Sequence, residues 1–355
     1  MIYQPTCKID IKTADSSKIH GVNFDDLEFG KIFTDHMFEC DYVDGQWQTP
    51  KIRPYGPLSI DPSARVFHYG QAVFEGMKAY KDAQGDIWMF RPEENYERIN
   101  KSAKRLAIPE FPHDYFFEGL KTLLHLDRDW IKKGIGNSLY IRPFVIASEP
   151  AISATRANEY KFMIICSPAK SYYTGEVSVI FEEKYSRAAD GGVGYAKAAG
   201  NYAAQFFPTK LANEKGFQQV VWTDAHSHEF LEEAGTMNIF FRIGDTLLTA
   251  PTNDRILDGV TRKSLIQIAQ DHNIPCEVRP VRVQEIKDAA ANGSLKEVFG
   301  AGTAAVVSPI SAIQHRDDYY ALPVQEDSIA AFLKQKLMAI QYNEAEDPHN
   351  WRYKV

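Results

Sequence analysis

Lys197 has sequence neighbours that suit a chemical role for its side-chain amine. It lies in the run YAKAAG at 195–200, directly after a glycine-rich turn at 191–194. Small neighbours leave room for a bulky group bound to the amine, and partial burial favours the neutral, nucleophilic form. A lone lysine is more often fully solvated, so the prediction depends on the other groups that accompany it.

Glu233 is the first accompanying group. It lies in EEAGTMN, just before the apolar, strand-like run NIFF at 238–241. A carboxylate that leads into a buried strand is a candidate for a partly desolvated acceptor, able to pair with a protonated ring nitrogen. A charged residue of an exposed loop is the plainer alternative for Glu233 taken alone.

A predicted helix start near Gly259 is the second accompanying group. The free N–H groups of Gly259, Val260 and Thr261, together with the helix dipole, suit a single phosphate monoester. An ordinary helix start with Asp258 as its N-cap is the alternative. An amine nucleophile, a carboxylate acceptor and one phosphate site are together the requirements of pyridoxal 5'-phosphate, which is therefore the predicted cofactor.

Two other features of the glycine clusters argue against nucleotide-binding loops. A P-loop has its lysine directly after the glycine, whereas two residues separate Gly194 from Lys197 and an alanine follows. GAGTAA at 300–305 matches the dinucleotide fingerprint with a final alanine, but the VVSPI that follows disfavours the helix that this fingerprint must open. We expect a tight turn with exposed amides at 300–305.

Composition excludes several classes of protein. The chain has 355 residues, a formal net charge of −7 and 44% hydrophobic residues, which argues against a disordered or a nucleic-acid-binding protein. No apolar run reaches the roughly 18 residues of a membrane span, and the N-terminus lacks the pattern of a secretory signal. Four scattered cysteines and the HSHE run at 226–229 predict neither disulfides nor a metal site. We therefore expect a cytoplasmic protein with reduced thiols.

The elements that position these groups are predicted to be interleaved strands and helices. Helices are predicted over 93–106, 114–132 and 201–215 and after Asp258 and Ser328, and strands over segments that include 160–166, 219–223 and 238–243. The length favours about two domains. The turn-forming segment 167–175 is the best candidate linker, so we predict an α+β protein with an N-terminal domain at 1–170 and a C-terminal domain at 176–355.

Seven motifs follow one another between about residues 24 and 310. They are FHYGQAVFEGMKAY, FRPEENYERI, YIRPF, RAADGGVGYAKAAGNY, EFLEEAGTMNIFF, ILDGVTR and FGAGTAAVVSP. In this order they resemble the branched-chain amino-acid aminotransferases, which are pyridoxal-phosphate enzymes of fold type IV. The resemblance implies a small N-terminal α/β domain, a larger cofactor-binding domain with a β-barrel-like core, and a homodimer.

The resemblance also implies a role for each matching residue. Lys197 is the implied catalytic residue and carries the cofactor, Tyr202 binds its phenolic oxygen, and Glu233 pairs with its ring nitrogen. The implied cofactor-binding residues are Arg98, Arg187, Tyr202, Glu233, Thr236, Leu257, Gly259, Val260, Thr261, Gly302 and Thr303. The implied substrate-binding residues are Tyr69, Phe74, Tyr140, Arg142, Ala304 and Ala305. Core packing of the aromatic residues and an ion pair of Arg142 are the structural alternatives.

The activity that the resemblance implies is transamination of L-leucine, L-isoleucine and L-valine with 2-oxoglutarate, which gives branched-chain 2-oxo acids and L-glutamate. D-amino-acid aminotransferases and aminodeoxychorismate lyases share the lysine and the phosphate turns, but EAGTMN and FEGMKAY favour the branched-chain activity. A non-catalytic binding protein with a decayed site is the alternative from another class, and the intact Lys197, Tyr202, Glu233 and Arg98 argue against it. The expected partners are these small molecules and a second copy of the chain, with neither nucleic acid nor membrane.

Overall fold

The computed structural model describes residues 3–170, 177–322 and 324–355, which group into two compact units. The first unit comprises Met1–Tyr172, Ala196–Ala199 and Ile340–Val355, and the second comprises Tyr173–Tyr195 and Gly200–Ala339. Segments 196–199 and 340–355 thus group with the N-terminal half of the chain. Residues 171–175 of the predicted linker lie outside the described residues, and the predicted boundaries at 1–170 and 176–355 stay a prediction.

Strands and helices alternate along the described residues, which confirms the predicted α+β class. The strands are β1 (Asp10–Ile11), β2 (His36–Val43), β3 (Gln46–Trp47), β4 (Lys51–Pro54), β5 (Ala72–Phe74), β6 (Met77–Lys81), β7 (Ile87–Phe90), β8 (Ser138–Ala147), β9 (Tyr160–Ala169), β10 (Val177–Glu182), β11 (Gln219–Thr223), β12 (Phe230–Ala234), β13 (Met237–Ile243), β14 (Thr246–Thr249), β15 (Cys276–Val278), β16 (Val281–Arg282), β17 (Leu295–Gly302), β18 (Val306–His315), β19 (Asp318–Ala321) and β20 (Arg352–Lys354). The helices are α1 (Arg65–Tyr69), α2 (Pro92–Arg105), α3 (His113–Leu126), α4 (Ala199–Ala203), α5 (Phe206–Glu214), α6 (Val260–Asp271), α7 (Val283–Ala291) and α8 (Ile329–Gln341).

The first unit is built on a sheet with the strand order β1-β4-β2-β9-β8-β6-β7-β20, in which β5 also pairs with β8. Helix α2 begins with Pro92 at its first position, and two glutamates of its first turn and two basic residues of its last turn complement the helix dipole. Aromatic residues fill the core: the rings of Phe111 and Phe162 stack with centroids 3.6 Å apart, and Phe38 packs edge-on against both. Val73 of β5 belongs to the same core cluster.

The second unit contains a closed barrel, as the resemblance implies. Six strands follow one another in the order β13-β17-β18-β10-β11-β12, and a direct pairing of β12 with β13 closes the ring. Ile239 and Phe241 of β13 belong to the apolar cluster that all six strands share. Because side chains alternate along a strand, Asn238 and Phe240 lie on the outer face of the barrel.

Most predicted elements agree with the structure. The helices predicted over 93–106 and after Asp258 and Ser328 correspond to α2, α6 and α8. The helix predicted over 201–215 is divided into α4 and α5, and the one predicted over 114–132 ends at Leu126, followed by a short 3-10 turn at Arg128–Trp130. The tight turn expected at 300–305 is confined to residues 303–305, between β17 and β18, because residues 300–302 form the end of β17. Among the described residues, no helix is long and apolar enough to cross a membrane.

Candidate functional site

Lys197 is held in the first unit by its main chain. Its N–H donates to the Ser102 hydroxyl of α2 at 2.9 Å, and its carbonyl accepts the N–H of Phe74 at 3.1 Å. The next residue, Ala198, forms a bridge with Val73 of β5. Three contacts with a helix and a strand thus fix the backbone from which the amine extends. The side chain itself is half-buried.

The Lys197 amine lies 4.8 Å from the centre of the Phe74 ring, within the range of a cation–π contact. The guanidinium of Arg142 lies at the same distance from that ring and 5.3 Å from the ring of Tyr140. Arg142 also donates to the Tyr140 hydroxyl at 3.1 Å. Four predicted site residues therefore form one cluster of two cations and two aromatic rings.

Close approach of the Tyr140 side chain to β6 requires a glycine at position 76. A Cβ atom on Gly76 would lie 2.0 Å from the Tyr140 hydroxyl oxygen, closer than any real contact. On another side, the ring of Phe29 meets the Tyr140 ring edge-on with centroids 4.9 Å apart. Tyr69, another predicted substrate residue, lies at the end of α1, is 46% exposed and donates to the carbonyl of Ile152.

Arg98 of α2 is paired with Glu75, a fully buried carboxylate of the β5–β6 connection. Arg98 donates through Nε to Oε1 at 2.6 Å and through Nη2 to Oε2 at 2.7 Å, which is a two-pronged, charge-assisted pair. Asn95 adds a donor to Oε2 at 2.8 Å. Burial acts to raise the pKa of Glu75, but Arg98, the charge of Lys197 and Asn95 outweigh it, so the pKa lies below its usual value.

In the second unit, a β-bulge in β12 sets the direction of the Glu233 side chain. The register between β11 and β12 shifts between Val221 and Thr223, so that Glu232 and Glu233 together oppose Trp222. Both carboxylates are buried, and burial raises the pKa of Glu232. The bulge thus places two consecutive acidic residues opposite the apolar side chain of Trp222.

The Glu233 carboxylate has donors on both oxygens. Oε1 accepts the Asn238 amide at 3.0 Å and the N–H of Leu257 at 3.2 Å, and Oε2 lies 2.9 Å from Nη1 of Arg187. Arg187 is buried too and donates to the carbonyl of Gly194 at 3.1 Å. The geometry is that of a fixed, ionised carboxylate, because an anion buried without such partners would be strongly destabilising.

Helix α6 begins at Val260, and Gly259 is its N-cap residue. A Cβ atom on Gly259 would lie 1.9 Å from the Asn238 side-chain oxygen, so only glycine lets the helix start approach the amide that binds Glu233. The unpaired N–H groups and the dipole at such a helix end favour an anion. Thr261, in this first turn, is a buried residue.

Several predicted cofactor residues line one recess of the second unit. Its lining consists of Arg187, Asn201, Tyr202, Gln205, Glu233, Gly235, Thr236 and Leu257. Five of these are predicted site residues, and the structure brings them together. Gly302 ends β17, and Thr303, Ala304 and Ala305 form the turn that follows. The individual roles of all these residues stay predictions.

These groups fit pyridoxal 5'-phosphate in chemical type. The carboxylate of Glu233 suits a protonated ring nitrogen, and the glycine-dependent start of α6 suits a phosphate monoester. The half-buried amine of Lys197, beside an aromatic ring, suits an aldehyde. Among the described residues, no group of three or more His, Cys, Asp or Glu side chains could hold a metal ion.

The sequence analysis missed Glu75, Asn238, Ser102 and Phe29, as well as three residues that line the recess, Asn201, Gln205 and Gly235. Glu75 and Asn238 lie inside motifs that were used for other residues, and their role is visible only from the carboxylate contacts they make. A charged residue in the apolar context AVFEGM was the available signal for Glu75. Ser102 and Phe29 gave no signal, since their partners are distant in sequence.

Comparison with known proteins gives consistent matches. The family model for amino-transferase class IV matches residues 72–313. Branched-chain-amino-acid transaminase 1 of Bacillus subtilis (strain 168) is 43% identical over 335 residues, which cover 93% of this chain and 94% of that protein. The crystal structure of the branched-chain aminotransferase from the thermophilic archaeon Thermoproteus uzoniensis with norvaline has a TM-score of 0.73 at 24% identity, covering 89% of this chain and 98% of the other.

A second solved structure supports the same fold. The branched-chain amino acid aminotransferase from Thermobaculum terrenum, in its PLP-bound holo form, has a TM-score of 0.71 at 20% identity and covers 89% of this chain and 97% of the other. At this level of identity the two structures establish the shared fold. The curated relative and the family model extend the similarity to the sequence itself.

Replacing Gly259 with alanine tests the packing of the α6 start. We expect Gly259→Ala to lower the free energy of unfolding by about 1–3 kcal/mol, because its Cβ displaces the Asn238 amide. In an Asn238→Ala background the added loss falls below about 0.5 kcal/mol, since the clashing atom is gone. Urea unfolding measures both, with Gly200→Ala as the control because its Cβ meets nothing within 4 Å. Equal losses in the two backgrounds would contradict the contact.

Proposed function

The chain belongs to the class IV amino-transferase family, and from this membership we propose that it transfers the amino group of L-leucine, L-isoleucine and L-valine to 2-oxoglutarate, with pyridoxal 5'-phosphate as cofactor. The observation that carries the proposal is the 43% identity, over 93% of the chain, to a protein named as a branched-chain-amino-acid transaminase. The cluster around Lys197 and the buried Glu233 supply the chemical groups that this reaction needs.

Each residue of the proposed site has a defined task. The cofactor, when bound, supplies an aldehyde that takes the amino group and a ring that stabilises negative charge at the substrate α-carbon. Lys197 would hold the cofactor through its aldehyde, and its side-chain amine would serve the α-proton of the substrate as base and then as acid. Glu233 holds a proton at the ring nitrogen, and Arg187 with Asn238 keeps the carboxylate ionised and oriented for this.

The proposed substrate pocket combines apolar walls with a cation. Phe74 and Tyr140 offer ring faces to a branched aliphatic side chain, whose burial supplies the preference for leucine, isoleucine and valine. Arg142 is positioned to meet a carboxylate of the substrate. Its Nε is buried and has no hydrogen-bond partner among the described residues, and a ligand carboxylate satisfies such a donor.

A panel of three substrates tests the proposed activity against its alternatives, D-amino-acid transamination and aminodeoxychorismate cleavage. With 2-oxoglutarate as acceptor, we expect L-leucine to react at least about 100-fold more efficiently, in kcat/KM, than D-alanine. An asymmetric pocket that accepts the L configuration at the α-carbon disfavours the D configuration. Aminodeoxychorismate should give no pyruvate. Glutamate formation measures the first two reactions. Faster turnover of D-alanine or release of pyruvate would contradict the proposal.

A homodimer and a cytoplasmic location complete the proposal. Phe67 and Ile152 of the first unit are 61% and 70% exposed, and Tyr69, which bonds to Ile152, is half-exposed; such apolar side chains suit a second copy of the chain. A mass in solution of about twice 40.2 kDa is expected by light scattering, and a monomer at micromolar concentration would contradict it. The four cysteines are free, which suits a reducing compartment, and cell fractionation tests the location.

A further inference from the structure

Glu75 is a fully buried charged residue near Lys197, and its carboxylate accepts four hydrogen bonds from three residues. Two come from Arg98 and one from Asn95, and the fourth is the N–H of Gly76 at 3.1 Å from Oε2. Its own N–H donates to the carbonyl of Pro143 in β8 at 2.7 Å. Both the side chain and the main chain of Glu75 are therefore fixed.

The orientation of Arg98 depends on this carboxylate. The Glu75 carboxylate accepts hydrogen bonds from Nε and Nη2 of the guanidinium. These two parallel hydrogen bonds set the plane and the direction of the guanidinium. An arginine held in this way needs little further ordering to bind an oxyanion, and most of the entropic penalty of binding is avoided.

Glu75 and Lys197 are linked through the same helix and strand. Ser102 of α2 accepts the N–H of Lys197 and donates to the carbonyl of Arg98 at 2.8 Å. Phe74, the residue before Glu75, donates to the Lys197 carbonyl and contacts its amine through the ring. A change in the position of Glu75 is therefore transmitted to the backbone on both sides of Lys197.

A role in stability alone does not account for the pair. Two charges taken out of water lose hydration energy that their attraction only partly recovers, so buried ion pairs contribute little net stability. The same ion pair is well suited to positioning Arg98, because its hydrogen bonds fix the guanidinium before any ligand binds. The negative charge of Glu75 also attracts the positive charge of Lys197.

We propose that Glu75 is a positioning residue, which orients Arg98 toward the cofactor phosphate and stabilises positive charge on the Lys197 side chain. This inference rests on the proposed function, since it needs pyridoxal 5'-phosphate at the site. Glu75 does not itself contact the reacting atoms. Its effect passes through Arg98 by hydrogen bonds and to Lys197 by charge.

The test uses Glu75→Gln and Glu75→Asp in the full-length protein, with Glu118→Gln as control. Glu118 is also a buried, hydrogen-bonded carboxylate of the first unit, but its partners are Tyr3, Thr6 and Lys121. Two quantities are measured on each variant. They are the dissociation constant for pyridoxal 5'-phosphate added to the apoprotein, and the pH midpoint of the absorbance change of the bound cofactor.

Glu75→Gln should weaken cofactor binding about tenfold or more, because Arg98 loses its charged partner. It should also move the pH midpoint down by about one unit, since a negative charge near the Lys197 nitrogen is removed. Glu75→Asp keeps the charge but withdraws it by one methylene, so we expect weaker binding with the midpoint unchanged. In an Arg98→Lys background, Glu75→Gln should add less than about a twofold loss of affinity, because both act through one contact.

Unchanged affinity and midpoint in Glu75→Gln, or the same changes in Glu118→Gln, would overturn the positioning role. If Glu75→Gln does not fold, Glu75→Asp decides, and wild-type affinity in that variant contradicts the proposal. If Glu75→Gln lowers the cofactor affinity as much in the Arg98→Lys background as in the wild-type background, Glu75 does not act through Arg98. Failure of the proposed function gives different results. If the cofactor assignment is wrong, the wild-type protein itself takes up no pyridoxal 5'-phosphate, and if only the substrate assignment is wrong, the substrate panel shows it while the cofactor measurements stand.

Discussion

Charge buried beside apolar structure is the constraint on which the rest of this protein depends. Each unit holds a carboxylate against an arginine in its interior: Glu75 with Arg98, and Glu233 with Arg187. A carboxylate buried without a cationic or N–H partner would take up a proton or destabilise the fold. The surrounding elements are therefore arranged to supply donors, and the same donors hold the two carboxylates in fixed orientations.

In the second unit the barrel provides these donors through its own closure. The pairing of β12 with β13 completes the ring and brings Glu233 opposite Asn238 in register. Asn238 donates to both the Glu233 carboxylate and the carbonyl of Leu257, which links the barrel to the segment that leads into α6. The Asn238 amide thus connects the Glu233 carboxylate with the start of α6, and Gly259 leaves the space that this amide occupies.

The sequence was most informative where chemistry is local. The small residues around Lys197 and the helix start near Gly259 are readable from adjacent residues, and α2 begins at the proline that favours a first helical position. The alternative N-cap, Asp258, is not realised, because Gly259 is the N-cap residue of α6. The α+β class follows from the alternation of strands and helices. The ordered motifs supplied the family and the barrel, which periodicity alone does not specify.

What escaped prediction depends on contacts between residues distant in sequence. Glu75 meets Arg98 through the packing of α2 on the sheet, and no spacing rule relates positions 75 and 98. The bulge that sets both Glu232 and Glu233 opposite Trp222 arises from register, which a single strand sequence does not define. The helix predicted over 201–215 is likewise divided, into α4 and α5.

The most direct measurement of the central claim is reductive labelling of the cofactor-loaded protein. Borohydride treatment followed by peptide mapping should place one phosphopyridoxyl group per chain on the peptide that contains Lys197, because its amine is the proposed carrier of the cofactor aldehyde. Lys78 and Lys101, which belong to the same unit, provide internal controls and should stay unlabelled. Label on another lysine, or none on Lys197 in protein that shows the cofactor's absorbance, would contradict the account.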